Sequence, residues 1–188
     1  MSEVHSGVKF KHRKVGELVF DSIIKESIEK LISTMANLPE DCFKDVAGNI
    51  SVRLDEGILI STSGSKLQCL QQEEDFSKVV SDGYDNIVSY YGKNIPSSET
   101  KMHLLIYKNR PEVDFCIHVH LPNIQKIQLL NRFSVTSKFL SYGTFDLAKE
   151  TVKSLGSGDI AVLRDHGIVV VGNNLKSITG KIIQIRNI

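Results

Sequence analysis

His118 and His120 stand one residue apart in a segment, Asp114 to His120, that reads as a β-strand. Side chains two apart in a strand point to the same side, so both imidazoles face one way while Ile117 and Val119 face the other. Two ring nitrogens so placed suit a divalent transition metal, although taken alone a His-x-His pair is more often two hydrogen-bonded structural histidines. A third ligand is needed, and His166 is the candidate. It lies in Asp165-His166-Gly167, a turn between two apolar strands, where the glycine lets the chain bend sharply and the ring project from a strand end. On its own it would be an ordinary turn histidine.

Glu99 is the carboxylate that stands out. It falls in the first turn of a helix that follows Pro96-Ser97-Ser98. Glutamates there commonly do no more than stabilise the helix dipole. Beside a metal and an anion site, however, a carboxylate is well placed to move protons. Ser97, Ser98 and the amides of the helix N-terminus would form such an anion site, capping the helix at the same time. Two small-residue turns, Gly48-Asn49 and Ser63-Gly64, expose further amides to which phosphate oxygens could bind, although either alone is a plain turn. A cupin would also show His-x-His, but with a glutamate four or five residues beyond the second histidine, where this chain runs Asn123, Ile124, Gln125.

The elements that must position these groups follow from apolar periodicity. Val15, Leu18, Val19, Ile23, Ile24, Ile28, Leu31, Ile32 and Met35 recur at three- and four-residue steps and predict one helix from Val15 to about Ala36. Residues 49–54 and 57–62 alternate around Asp55-Glu56-Gly57 as a hairpin, and residues 76–81 and 86–91 flank the turn pair Asp82-Gly83 as two more strands. A helix carrying Met102, Leu105 and Ile106 ends at Arg110-Pro111. Beyond the 114–120 strand come a helix after Pro122, another over 146–155, strands at 160–163 and 168–171, and a terminal helix from near Asn174. Residues 1–14, polar and without periodicity, are expected to be a loose arm, leaving one domain over 15–188.

The 188 residues carry 23 basic and 22 acidic side chains for a net charge of +1, so there is no basic stripe for nucleic acid. No apolar run is long enough to span a bilayer and no signal-peptide core opens the chain, which makes the cytoplasm the default location. Cys42, Cys69 and Cys116 show no CxxC pair and are expected to be reduced thiols without chemical role.

Ala47-Gly48-Asn49-Ile50-Ser51-Val52-Arg53, Leu59-Ile60-Ser61-Thr62-Ser63-Gly64, Pro96-Ser97-Ser98-Glu99, Arg110-Pro111-Glu112-Val113 through His118-Val119-His120, Tyr142-Gly143-Thr144 and Asp165-His166-Gly167 occur in one order. In that order the chain resembles the class II aldolase/adducin family, L-fuculose-1-phosphate aldolase type, from roughly Leu18 to Val171. The resemblance implies an α/β (α+β) fold with a central, mostly antiparallel sheet flanked by helices. It also implies a homotetramer with active sites between subunits. His118, His120 and His166 would hold zinc or another divalent metal such as Mn2+, Co2+ or Fe2+. The phosphate of a sugar substrate would lie against Gly48, Asn49, Ser63, Gly64, Ser97 and Ser98, and Glu99 would be the acid/base residue. The implied reaction is aldol cleavage of a ketose 1-phosphate to dihydroxyacetone phosphate and an aldehyde, through a metal-stabilised enediolate.

Two departures bear on this. A segment that relatives have before Tyr-Gly-Thr is missing between Leu140 and Tyr142, so their cross-subunit tyrosine would fall near Phe139 and Tyr142 is the substitute to consider. The tail that relatives often fold over the site has no counterpart after Ile182. A methylthioribulose-1-phosphate dehydratase-like elimination therefore stands beside aldol cleavage. An adducin-like binding module and a pentulose-phosphate 4-epimerase stand further off, because all three histidines and Glu99 are present.

Overall fold

A computed structural model describes residues 7–43, 48–81 and 87–188. Its strands are β1 (Lys11–Gly16), β2 (Gly48–Arg53), β3 (Ile58–Ser61), β4 (Phe76–Val79), β5 (Ile87–Tyr91), β6 (Phe115–Val119), β7 (Ser134–Val135), β8 (Ile160–Leu163) and β9 (Gly167–Gly172). They form one sheet in the order β1-β5-β4-β3-β2-β6-β9-β8-β7. Every pairing is antiparallel except β1 with β5 and β7 with β8, at the two edges. The helices are α1 (Ser22–Ala36), α2 (Thr100–Asn109), α3 (Ile124–Gln128), α4 (Phe145–Leu155) and α5 (Leu175–Arg186). None among the described residues is long and apolar enough to cross a membrane.

Period-two alternation sorts the sheet residues into two cores. Ile50 and Val52 of β2, Ile117 and Val119 of β6, and Ile168 and Val170 of β9 pack with Ile24, Ile28, Leu31 and Met35 of α1 and Ile178, Ile182 and Ile185 of α5. Cys116 of β6, with Val169 and Val171 of β9, packs on the opposite face with Met102 to Tyr107 of α2 and with Leu147 and Ala148 of α4. Each such Ile, Leu or Val, fully buried, contributes roughly 1.5–3 kcal/mol. On β2 the second face carries Asn49 and Ser51, and on β6 it carries His118, all three buried. The polar residues of the site thus enter from the middle of the sheet, under α2.

The expected hairpins and the strand and helix types from β2 onward are present. The N-terminal segment differs from expectation. Residues 1–6 lie outside the described residues, but Lys11–Gly16, most of it assigned to a loose arm, is a strand whose residues 11–14 are exposed on both faces. No apolar pattern marks it because it is held by parallel backbone pairing to β5, Lys11 opposite Ile87 through Lys14 opposite Tyr90, and by polar contacts such as Arg13 donating to Ser89 Oγ at 3.1 Å. The helix consequently begins at Ser22, with the Asp21 carboxylate accepting from the Ile24 amide at 2.9 Å. Val15, Val19 and Ile23, counted on its buried stripe, are exposed. The predicted Asp82-Gly83 turn lies outside the described residues, as does Ala47.

The start of α2 also departs from expectation. Glu99, not a serine, occupies the cap position, and no side chain caps it. Ser97 closes the turn with its carbonyl, which accepts from the Thr100 amide at 3.0 Å, and with its hydroxyl, which accepts from the Glu99 amide at 3.3 Å.

Candidate metal centre

His118 sits near the end of β6, His120 just beyond it, and His166 in the β8–β9 turn that runs alongside. One nitrogen from each ring can be chosen so that all lie within 4.8 Å of one another. The His118 and His120 Nε2 atoms are 2.9 Å apart. Nitrogens bound at about 2.0–2.1 Å to one first-row ion stand about 2.9–3.4 Å from each other, so the His118–His120 pair has that spacing, and the trio, spread up to 4.8 Å, would draw together slightly around an ion. His118 Nδ1 donates to the Ile168 carbonyl at 2.9 Å, which leaves the Nε2 lone pair turned to the centre.

The turn that presents His166 is pinned from two sides. The His166 amide donates to Leu163 O at 3.0 Å. Asp165 adopts a φ of 55°, unusual for a residue with a side chain. Gln128 of α3 holds it there by accepting from its amide at 2.9 Å and donating to its carboxylate at 2.7 Å. The next residue, Gly167, must lack a side chain, since a Cβ would lie 2.6 Å from Val119 O and 2.8 Å from the His118 ring.

Glu99 completes the cluster. Oε2 lies 3.1 Å from His118 Nε2 and Oε1 3.7 Å from His166 Nε2, with the residue only 4% exposed. Burial by itself would raise the carboxyl's pKa. In the metal-free protein, positive charge on the protonated imidazoles of His118, His166 and His120, with the Asn49 amide, outweighs that and holds it well below the usual carboxylate range, so Glu99 is ionised. Its Oε1 is buried without a hydrogen-bond partner. A buried anionic oxygen in that state calls for a cation beside it, which a metal held by the three histidines would supply.

The residues expected to hold an anion fall into two places. A bridge between Thr62 and Pro96 brings the Ser63-Gly64 turn beside Ser97 and Ser98. The Ser63 and Ser97 amides, expected to be exposed, are spent on Ile95 O at 2.9 Å and Ser61 O at 3.0 Å. Gly48 and Asn49 pair with Val119 and His118 across the sheet. The Asn49 side chain is taken up by Glu99, at 2.9 Å, and by His103. Tyr142 is buried, with its hydroxyl donating to Gly7 O at 3.2 Å and its ring under the Lys9 ammonium at 3.7 Å.

Sequence reading passed over His103, Ser51 and Tyr107. His103 is fully buried, with Nδ1 2.7 Å from Ser51 Oγ, which is in turn 2.8 Å from the Tyr107 hydroxyl. The signal was available: Glu99, His103 and Tyr107 are spaced by four along a helix, and Asn49 and Ser51 by two along a strand, so each set shares one face.

A mixed sheet flanked by helices thus brings three histidines that could hold a metal, and one buried glutamate, together at the ends of its central strands. Residues 29–188 match the family model described as Class II Aldolase and Adducin N-terminal domain, and the chain belongs to that family. It is 33% identical over 142 residues to the L-fuculose phosphate aldolase of Methanocaldococcus jannaschii, covering 68% of this chain and 74% of the relative. It is 28% identical over 149 residues to the 5-methylthioribulose-1-phosphate/5-deoxyribulose-1-phosphate aldolase of Rhodospirillum rubrum, covering 71% and 65%. A solved L-fuculose 1-phosphate aldolase superposes with a TM-score of 0.68 at 25% identity over 90% of this chain and 84% of the other. A sugar-phosphate aldolase from Thermotoga maritima shares the fold, with a TM-score of 0.75 at 20% identity over 88% and 93%.

Proposed function

We propose that the protein is a metal-dependent aldolase that cleaves a ketose 1-phosphate to dihydroxyacetone phosphate and an aldehyde. The observation that carries this reading is the convergence of three histidine nitrogens within 4.8 Å beside the ionised, partly unpartnered carboxylate of Glu99. His118, His120 and His166 would hold the ion, zinc or a similar divalent metal. Once bound, it supplies Lewis-acid stabilisation of the negative charge that develops on the substrate oxygens.

The chain's own groups do the rest. In the condensation direction the Glu99 carboxylate removes a proton from C3 of dihydroxyacetone phosphate. In cleavage the C4 hydroxyl gives up its proton as the C3–C4 bond breaks to leave the aldehyde, the electron pair of that bond stays on C3, and Glu99 carries a proton to C3, so that one proton moves net from O4 to C3. Burial of Glu99 keeps bulk water from taking that proton first. We assign the phosphate to the Ser63, Ser97 and Ser98 hydroxyls and to the Gly48 and Gly64 backbone. Asn49 serves it through the backbone only. His118 is fully buried while His120 and His166 are partly exposed, so substrate enters from the His120 and His166 side. Tyr142, engaged with Gly7 and Lys9, is not assigned the second proton transfer. A homotetramer with sites between subunits and a cytoplasmic location accompany the proposal.

The similarity to the methylthioribulose- and deoxyribulose-phosphate enzyme favours a ketose phosphate with a modified far end as a second substrate class. Incubating the purified, metal-loaded protein with a panel of ketose 1-phosphates decides the matter. Dihydroxyacetone phosphate release is the expected result, and a dehydrated product alone would replace aldol cleavage with elimination.

A further inference from the structure

Behind the proposed catalytic carboxylate runs a buried line of side chains from α2 and β2: Glu99, Asn49, His103, Ser51 and Tyr107. Helical residues four apart and strand residues two apart interleave, so each side chain of one element touches the next of the other. Its hydrogen bonds can be followed outward from Glu99. Asn49 turns its Nδ2 toward Glu99 Oε2 at 2.9 Å, and an amide N–H can only donate. Asn49 Oδ1 therefore faces His103 Nε2 and accepts from it. His103 is fully buried with no carboxylate among its hydrogen-bond partners, and burial, only partly offset by Glu99, pushes its pKa down to about 3. A neutral ring with its proton on Nε2 has a bare Nδ1, which accepts from Ser51 Oγ at 2.7 Å. Ser51, having donated, has only acceptor capacity left for the Tyr107 hydroxyl at 2.8 Å, whose one proton also faces the carbonyl oxygens of Ser51 at 3.0 Å and Asp114 at 3.3 Å.

We propose that His103 is a positioning residue: with Ser51 and Tyr107 it forms a one-way relay of donors, all oriented toward Glu99, that fixes the Asn49 amide so that N–H, not C=O, meets the catalytic carboxylate. The proposal rests on the reading of Glu99 as the proton-moving group. Were His103 to take the other tautomer, Nε2 would become an acceptor. The Asn49 amide would then turn over and set a carbonyl oxygen against the carboxylate. Ser51 supports the first arrangement by donating to the bare Nδ1, and the oxygen-to-oxygen contact of Asn49 with Glu99 disfavours the second. Bonds aligned head to tail also polarise one another, which adds to the hold on Glu99. The relay contributes no proton to the substrate; it sets the orientation and basicity of the group that does.

The test has two arms. In the metal-free protein labelled with ¹⁵N-histidine, His103, assigned by its loss in His103→Gln, is expected as the neutral Nε2–H tautomer across the range from about pH 5 to about pH 8. An imidazolium or an Nδ1–H tautomer overturns the proposal, and this holds whether or not any ketose phosphate is turned over. In the loaded enzyme, Ser51→Ala is expected to shift that tautomer and to lower kcat roughly 10- to 100-fold, with KM and bound metal unchanged. His103→Gln, which keeps an N–H toward Asn49, recovers most of the kcat lost in His103→Leu. A Ser51→Ala protein with a lower Tm but wild-type tautomer and kcat would show the line to be structural only. Absence of turnover in wild type, with the expected tautomer, would remove the proposed reaction and leave the relay standing.

Discussion

The Nδ1 of His118 lies 2.9 Å from the carbonyl oxygen of Ile168 on the neighbouring strand, and that contact decides which nitrogen of the ring faces Glu99. Sheet register thus sets the chemistry of the ligand: the strand that carries His118 is bonded to the strand whose turn carries His166.

From this arrangement, His120→Ala is expected to lose both bound metal and turnover, since two imidazoles remain where three converge. Glu99→Gln should keep metal near one equivalent and lose turnover by roughly 10²- to 10⁴-fold, the usual worth of a positioned acid/base group. Elemental analysis beside steady-state rates separates the two, and a fully active Glu99→Gln protein would remove the acid/base assignment.

Gly167 offers a test that leaves every ligand in place. A methyl group there meets Val119 O at 2.6 Å, the His118 ring at 2.8 Å and the His120 ring at 3.0 Å. Gly167→Ala must spread β6 from β9 or push the rings aside. The expected cost is about 1–3 kcal/mol of stability. Metal affinity should fall about 10- to 100-fold with it. Metal titration followed by calorimetry measures the second effect, and unaltered affinity would show that the rings tolerate displacement.

Arg53 ties the relay's outer end to the sheet. Its guanidinium donates to the carbonyls of Tyr107, Arg110 and Val113, each at 2.8 Å, and lies over the Tyr107 ring. Arg53→Met fills similar space but leaves three carbonyls without that donor, for an expected loss of about 2 kcal/mol in urea unfolding. A loss within experimental error would mean that water replaces the guanidinium.

His103 also makes stability depend on pH. Its folded pKa is depressed to about 3 from 6.5, so between those values the unfolded chain binds a proton that the folded chain refuses. Its contribution is fully present above the unfolded pKa and is lost as pH falls, by about 1.4 kcal/mol per pH unit. Urea midpoints of the metal-free protein from about pH 7 to about pH 5 should therefore drop more steeply for wild type than for His103→Gln. Parallel slopes would show that His103 takes up its proton within the fold.

Much of this was legible in the residues, and the exceptions have a common physical source. Alternation revealed the β2–β3 hairpin because one face of each strand is buried in each core. The spacing of His118 and His120 announced a shared face for the same reason. Lys11–Gly16 gave no such sign, since a strand with both faces in water is held by its partner's open edge and by polar contacts that leave no apolar period. Val19 and Ile23 misled because periodicity counts apolar residues without knowing where the helix starts; Asp21 was the marker. The Ser63 and Ser97 amides were misjudged because a bridge between distant segments consumed them. His103 was overlooked as one more helix residue, although its distance from Glu99 put both on one side.

The parallel edge strand β1 has a consequence for how the molecule comes into being. Its partner residues lie 76 positions downstream, Lys11 against Ile87. During synthesis that first stretch therefore leaves the ribosome with nothing to dock on and must wait until the β2 to β5 ribbon has assembled. Closure of so long a loop makes it a late addition. Until then, the edge of β5 offers unpaired amides and carbonyls to any extended chain nearby, so the nascent protein is open to misassociation there until this strand finds its place.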